Sequence, residues 1–220
     1  ISFTETSKKN KLKNLVLINA KKAISVSGYS AETKLSMEQC IIDNISDTAI
    51  AAYNTSISAT NCLITNCGQN IALINGGDYH FTHCTVASYA NVYFNHLLPV
   101  LSINNNSATN TNASFINSIF WGDGGITDNE IVLLNTGTGN FNCTFQNVLY
   151  KGTSVADASF QDCIEGQDPL FVLLDFEHLE YNFRLQEPSP CINAGKITSV
   201  KDDLAGNTRD FQPDMGCYEY

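Results

Sequence analysis

Three octapeptides recur at a spacing of 22 residues: LSMEQCII from Leu35, ISATNCLI from Ile57 and YHFTHCTV from Tyr79. Read in columns, they align Leu35, Ile57 and Tyr79; Met37, Ala59 and Phe81; Gln39, Asn61 and His83; Cys40, Cys62 and Cys84; and Ile42, Ile64 and Val86. Apolar and polar residues alternate up to the Gln/Asn/His column, and a period of two belongs to a strand, not a helix. A fixed period of about 20 to 50 residues marks a repeat architecture. No single copy can bury its own apolar face, so the copies must stack. Equivalent slots should then lie over one another, and the interior should be a pile of like side chains.

The pattern extends in both directions. KLKNLVLINAKKAISVSG places Asn14 in the polar column, with Leu12, Leu17, Ile24 and Val26 facing inward. SFINSIFWG, TFQNVLY and SFQDCIE resume it later, with Asn117, Asn147 and Asp162 in the same column. From His83 to Asn117 the step is 34 residues rather than 22. Val100 to Ile103 fits the slot of Ala72 to Ile74, so the surplus falls in Tyr89 to Pro99 and Asn104 to Asn112, where insertions should form loops. Asparagine tolerates the left-handed backbone of a sharp corner, and stacked amides can hydrogen-bond along the stack. His80 and His83 should point to opposite faces of a strand, which makes them a poor metal pair. The expected fold is all-β: a right-handed parallel β-helix, a single-stranded solenoid of about seven rungs. Residues 1–165 supply the rungs. Residues 166–220, with four of the five prolines, read as an irregular cap closing the C-terminal end. ISFT at the start reads as a strand cut in mid-rung, so rungs or a cap are expected before Ile1.

A net charge of -10 argues against a nucleic-acid partner or an anionic membrane surface. No apolar run approaches the length of a membrane span, and the first residues carry no signal segment. The eight cysteines are not read as a disulfide framework. Cys40, Cys62 and Cys84 belong to one column with parallel side chains about 4.8 Å apart, whereas a disulfide needs converging Cβ atoms about 3.8 Å apart. They read as buried free thiols.

The C-terminal segment carries a resemblance. DPLF (Asp168 to Phe171), YNFRLQEPSPCINAG (Tyr181 to Gly195), DLAGNTR (Asp203 to Arg209) and PDMGCYEY (Pro213 to Tyr220) resemble the ending of large secreted or surface β-helix proteins of Bacteroidetes-type bacteria, sometimes called a choice-of-anchor domain. With the repeats, the chain resembles the C-terminal half of a pectate-lyase-like protein. The resemblance implies export to the cell surface, periplasm or exterior of a bacterium and a carbohydrate-rich setting. It implies no single activity. In such endings the slots of Cys191 and Cys217 are often Ala and lie together, so a disulfide and two free thiols both stay open.

A β-eliminating lyase needs a basic residue and a carboxylate-held Ca²⁺, yet no Lys or Arg falls between Lys34 and Lys151. An inverting hydrolase needs converging carboxylates about 6.5–9.5 Å apart, and the acidic residues do not align in columns. Asp123, Asp128 and Glu130 are the only Ca²⁺ set that the spacing suggests, and they match no EF-hand loop; no cofactor is expected. A binding module needs less. Trp121, Tyr93, Tyr89, His96 and Asp123 cluster in and beside the insertions and are the candidate ligand residues for a polysaccharide or cell-surface glycan. The alternative for the aromatics is to seal loops against the core. Asp203 and Arg209 read as ties for loop backbone. The functional expectation is a non-catalytic, exported β-helix protein with a glycan-binding or adhesive surface. The alternatives are a polysaccharide lyase or glycoside hydrolase with catalytic residues upstream or in loops 89–130, and a structural stalk.

Overall fold

A computed structural model describes residues 1–29, 32–91, 95–152 and 157–220. Its described residues hold strands and turns and no helix. Sixteen strands form one large curled sheet whose pairs are all parallel, and Phe171–Asp175 pairs with Glu180–Leu185 as a separate antiparallel hairpin.

The parallel pairs fall into three ladders. The first joins Asn10–Lys13, Leu35–Glu38, 57–60, 79–82, 111–116, 141–146 and Ser159–Gln161. The second joins Val16–Ala20, Ile41–Ile45, Leu63–Thr65, Thr85–Tyr89, 119–123, 148–150 and Ile164–Glu165. The third joins Ser2–Phe3, Ile24–Ser27, 50–53, 71–74, Leu101–Asn105 and Ile131–Asn135. The register follows the sequence columns. Leu35 lies beside Ile57, Ile57 beside Tyr79, and Phe81 beside Phe115 across the longer step. Residues 72–74 pair with 102–104, which places the surplus residues in the connections.

Inward residues of all three ladders share one core. Phe81, Phe115, Phe145 and Phe160 stack successively with ring centroids 5.4, 4.7 and 4.6 Å apart. Each fully buried ring contributes about 1.5–3 kcal/mol of transfer free energy, and stacking adds about 0.5–1.5 kcal/mol per pair. The polar column turns the corner between the first and second ladders. Asn14, Gln39, Asn61, His83, Asn117, Asn147 and Asp162 all have φ between 49° and 53°. One left-handed residue reverses which side the chain presents, so the strand before it and the strand after it both face the same core.

The cysteine column follows immediately. The N–H groups of Leu63, Thr85 and Ile119 donate to the carbonyls of Cys40, Cys62 and Cys84, so the three thiols sit in adjacent strands. All eight cysteines are free and only Cys163 is not fully buried. Cys191 and Cys217 are thus two separate thiols in the outer apolar cluster.

The C-terminal segment differs from the expected end cap. It lies along the flank of the stack. Asn147 Nδ2 donates to the Ala194 carbonyl (3.0 Å), Asn117 Nδ2 to that of Lys196 (2.7 Å), Asn61 Nδ2 to that of Asp202 (2.6 Å) and Gln39 Nε2 to that of Asp203 (3.2 Å). The segment therefore runs back over the corner column, against the direction of the stack. The reason is apolarity on both faces of the second ladder. Leu63, Ala87, Ile119, Trp121 and Leu149 point away from the inner core, and a sheet apolar on both faces needs a second covering layer. Phe171, Phe183, Leu185, Cys191, Met215 and Cys217 provide it. Asp203 and Arg209 tie this layer together. Asp203 accepts the N–H groups of Ala205, Asn207 and Glu219, while Arg209 pairs with Glu219 at 2.8 Å and donates to Asn61 Oδ1 at 3.0 Å.

Two predictions follow from this packing. Burial pushes the thiols of Cys67, Cys143 and Cys217 up to about 12. At pH 8 a thiol-specific reagent should therefore label the native protein at Cys163 alone, with the other seven reacting only on unfolding, as read by mass spectrometry of the labelled peptides. His83, fully buried, is pulled down to about 3 by desolvation and then by the Arg209 charge. Below its unfolded value of about 6.5 the unfolded chain takes up a proton that the folded chain refuses, so stability falls as pH drops from 6.5 towards 3, by up to about 1.4 kcal/mol per pH unit. His83→Asn, the residue of the neighbouring Asn61 and Asn117 slots, should flatten that dependence in urea midpoints measured across the window.

Candidate functional site

The long insertion after the second ladder folds back onto that ladder. Register places Ala87 beside Trp121 and Tyr89 beside Asp123. His96 then reaches down to Gly122, where any Cβ would collide with His96 Nε2 and Glu130 Oε1. Absence of a side chain at Gly122 is what admits the pair. His96 Nε2 lies 2.8 Å from Glu130 Oε1, and the side chains are 1% and 0% exposed. Glu130 Oε2 accepts the Val100 N–H at 3.1 Å. This buried pair fastens the returning arm of the insertion to the turn before the third ladder. Among the described residues, His96 Nδ1 and the Tyr89 hydroxyl are buried with no hydrogen-bond partner.

Asp123 sits at the rim. It accepts from Lys151 Nζ at 3.0 Å, which holds its carboxyl below the usual carboxylate range. Lys151 also donates to the Gly122 carbonyl at 2.7 Å and lies 5.8 Å from the Trp121 ring centroid.

The structure thus brings together four of the five residues chosen from sequence, but turns most of them inward. Trp121 and Tyr89 are only 7% and 4% exposed. They pack into the outer apolar cluster, Tyr89 against Phe176 and Phe183 with centroids 5.8 and 6.4 Å away. His96 is committed to Glu130. These three form no ledge on which a sugar could stack; they seal the insertion against the C-terminal layer. Asp123 is exposed and paired. Tyr93 lies outside the described residues. Of the suggested Ca²⁺ set, Asp123 is engaged by Lys151 and Glu130 by His96. Among the described residues no group of three or more His, Cys, Asp and Glu side chains is arranged to hold a metal ion.

The surface that sequence reasoning missed is the outer face of the third ladder. Two rows cross its strands. One runs Ser2, Ser25, Ala51, Ala72, Ser102, Val132; the other runs Ser27, Tyr53, Ile74, Asn104, Leu134. Neither row holds a charged residue, in a chain of net charge -10. Tyr53, Val132 and Leu134 are 45%, 40% and 49% exposed. Beside the strand starts runs a groove of about 750 Å³, walled by Leu97 and Leu98 of the insertion on one side and by Lys21, Asp47, Thr48 and Gln69 on the other. The signal was present in the columns. It was obscured because this strand is apolar on both faces, as in IAAY, IALI and IVLL, so alternation does not say which side faces out.

No protein-family profile matches the chain, and no curated protein matches it. The resemblance drawn from the sequence therefore rests on its own residues, and the functional reading rests on the geometry.

Proposed function

We propose that the three ladders are the faces of a right-handed parallel β-helix of the pectate-lyase-like class, exported from a bacterium, whose work is non-catalytic presentation of a glycan-binding surface. The observation that carries this reading is the bare outer face of the third ladder. The second ladder's outer face is covered by the C-terminal segment. The first ladder's outer face is polar, with an ion pair from Lys11 to Glu38 at 2.7 Å and a hydrogen bond donated by Asn112 Nδ2 to Asp78 at 2.8 Å. The third alone combines apolar area, a half-exposed aromatic ring and short hydroxyl or amide side chains. Sugars are recognised by that mixture, with C–H faces on apolar surface and hydroxyls on small polar groups. The carboxylates near the insertion support a binding role over hydrolysis, since Glu130 is buried against His96 and Asp123 is held by Lys151.

Retention on a panel of immobilised glycans tests the reading. The wild-type chain should be held by at least one glycan, and Tyr53→Ala should weaken that retention by about tenfold, or about 1.4 kcal/mol. Trp121→Ala should lower thermal stability without a selective loss of retention. A wild-type chain held by nothing on the panel would leave the scaffold as a stalk.

A further inference from the structure

We infer that the ligand of the third ladder's outer face is an uncharged, extended polysaccharide lying along the stack, across the strands. This rests on the reading of that face as glycan-binding and specifies its substrate class.

Direction comes first. The two rows are the only continuous features of the face, and both run perpendicular to the strands. Neighbouring strands are about 4.8 Å apart, close to the advance of one pyranose ring in an extended β-linked chain. A chain laid along the rows meets an equivalent position at every strand, whereas a chain laid along a strand leaves the face within a few residues. The rows also divide the chemistry. Tyr53, Ile74 and Leu134 offer apolar area to ring C–H faces, while Ser27 and Asn104 in the same row and Ser25 and Ser102 in the other offer donors and acceptors at ring edges.

Charge comes second. A polyuronate carries a carboxylate on each ring and needs a cation to meet it. The rows hold no Lys, Arg or His, and the whole molecule repels anions. Lys21 and Lys22, at the corner that leads into the ladder, both face Asp47, which Lys22 approaches to 3.4 Å. Lys151 is held by Asp123 at 3.0 Å. A neutral chain meets no such penalty, and its binding should be nearly independent of salt.

The experiment is calorimetric titration of the full chain with neutral β-linked glucan and xylan oligosaccharides of increasing length, and with polygalacturonate. Neutral affinity should rise with length and level off near the five or six strands that the rows cross. Polygalacturonate should bind at least about tenfold more weakly. Ser102→Lys, at a half-exposed mid-row position, should lower neutral affinity and raise that for polygalacturonate. Leu134→Asp should shorten the length at which neutral affinity levels off; thermal unfolding of both variants confirms that they fold. Preference for polygalacturonate, or affinity independent of length, with Tyr53→Ala still weakening binding about tenfold, would overturn the inference while sparing the glycan reading. Absence of binding to every glycan, or a change of oligomeric state in Ser102→Lys by analytical ultracentrifugation, would overturn both.

Discussion

The left-handed corner residue is the constraint on which the rest of this structure depends. Each pass of the chain turns from the first ladder to the second at one residue of positive φ, from Asn14 through Asp162. A β-branched or bulky residue in that conformation would cost roughly 1–2 kcal/mol per pass. Asparagine, aspartate and histidine accept it more readily, and they and Gln39 carry a polar group out of the core. Because the corner is one residue long, the register of the two flanking ladders is locked to it. A slip of one residue would turn Phe81, Phe115 and Phe145 outward together. Insertions are therefore confined to the other connections. The long one after Tyr89 is pinned by a buried His96–Glu130 pair, and those following Asn104 and Leu134 stack on each other through Thr136 N–H to Asn105 O and Thr138 N–H to Ser107 O.

The same corner decides where the C-terminal segment goes. Left-handed backbone leaves the corner amides with donors directed away from the core, and the segment offers carbonyls to four of them. Beside that rail the second ladder presents leucine, isoleucine and tryptophan to the outside. The tail meets both needs at once, with a polar strap over the corner and an apolar layer over the ladder. Arg209 belongs to both, since it reaches Asn61 in the column and Glu219 in the tail. One outer face is thereby removed from solvent, one is polar, and one stays open with little charge nearby. The functional reading follows from that division of labour among three faces.

The corner column, the cysteine column and the inward positions were legible because each repeats at a fixed interval, and a repeated interval becomes spatial adjacency once strands pair in parallel. The aromatic cluster after Tyr89 was legible as a cluster, but whether it formed a surface or a seal was not. Trp121 and Tyr89 share a face with Leu63 and Leu149, and whether that face is wet depends on a segment that begins only at Phe171. The bare ladder was hidden for a related reason. Tyr53, Ile74 and Leu134 sit in strands apolar on both sides, and no local pattern separates their two faces.

By itself, then, the sequence determined the strand type, the stacking interval, the corner residues and the thiols of the core, all of which depend on local backbone preference and short-period alternation. Tertiary structure alone decided which outer face is covered, where Trp121 and His96 end up, and which surface remains available to a ligand. Those outcomes depend on where a distant and irregular segment finds partners for its carbonyls and cover for its apolar side chains, and no interval along the chain encodes that.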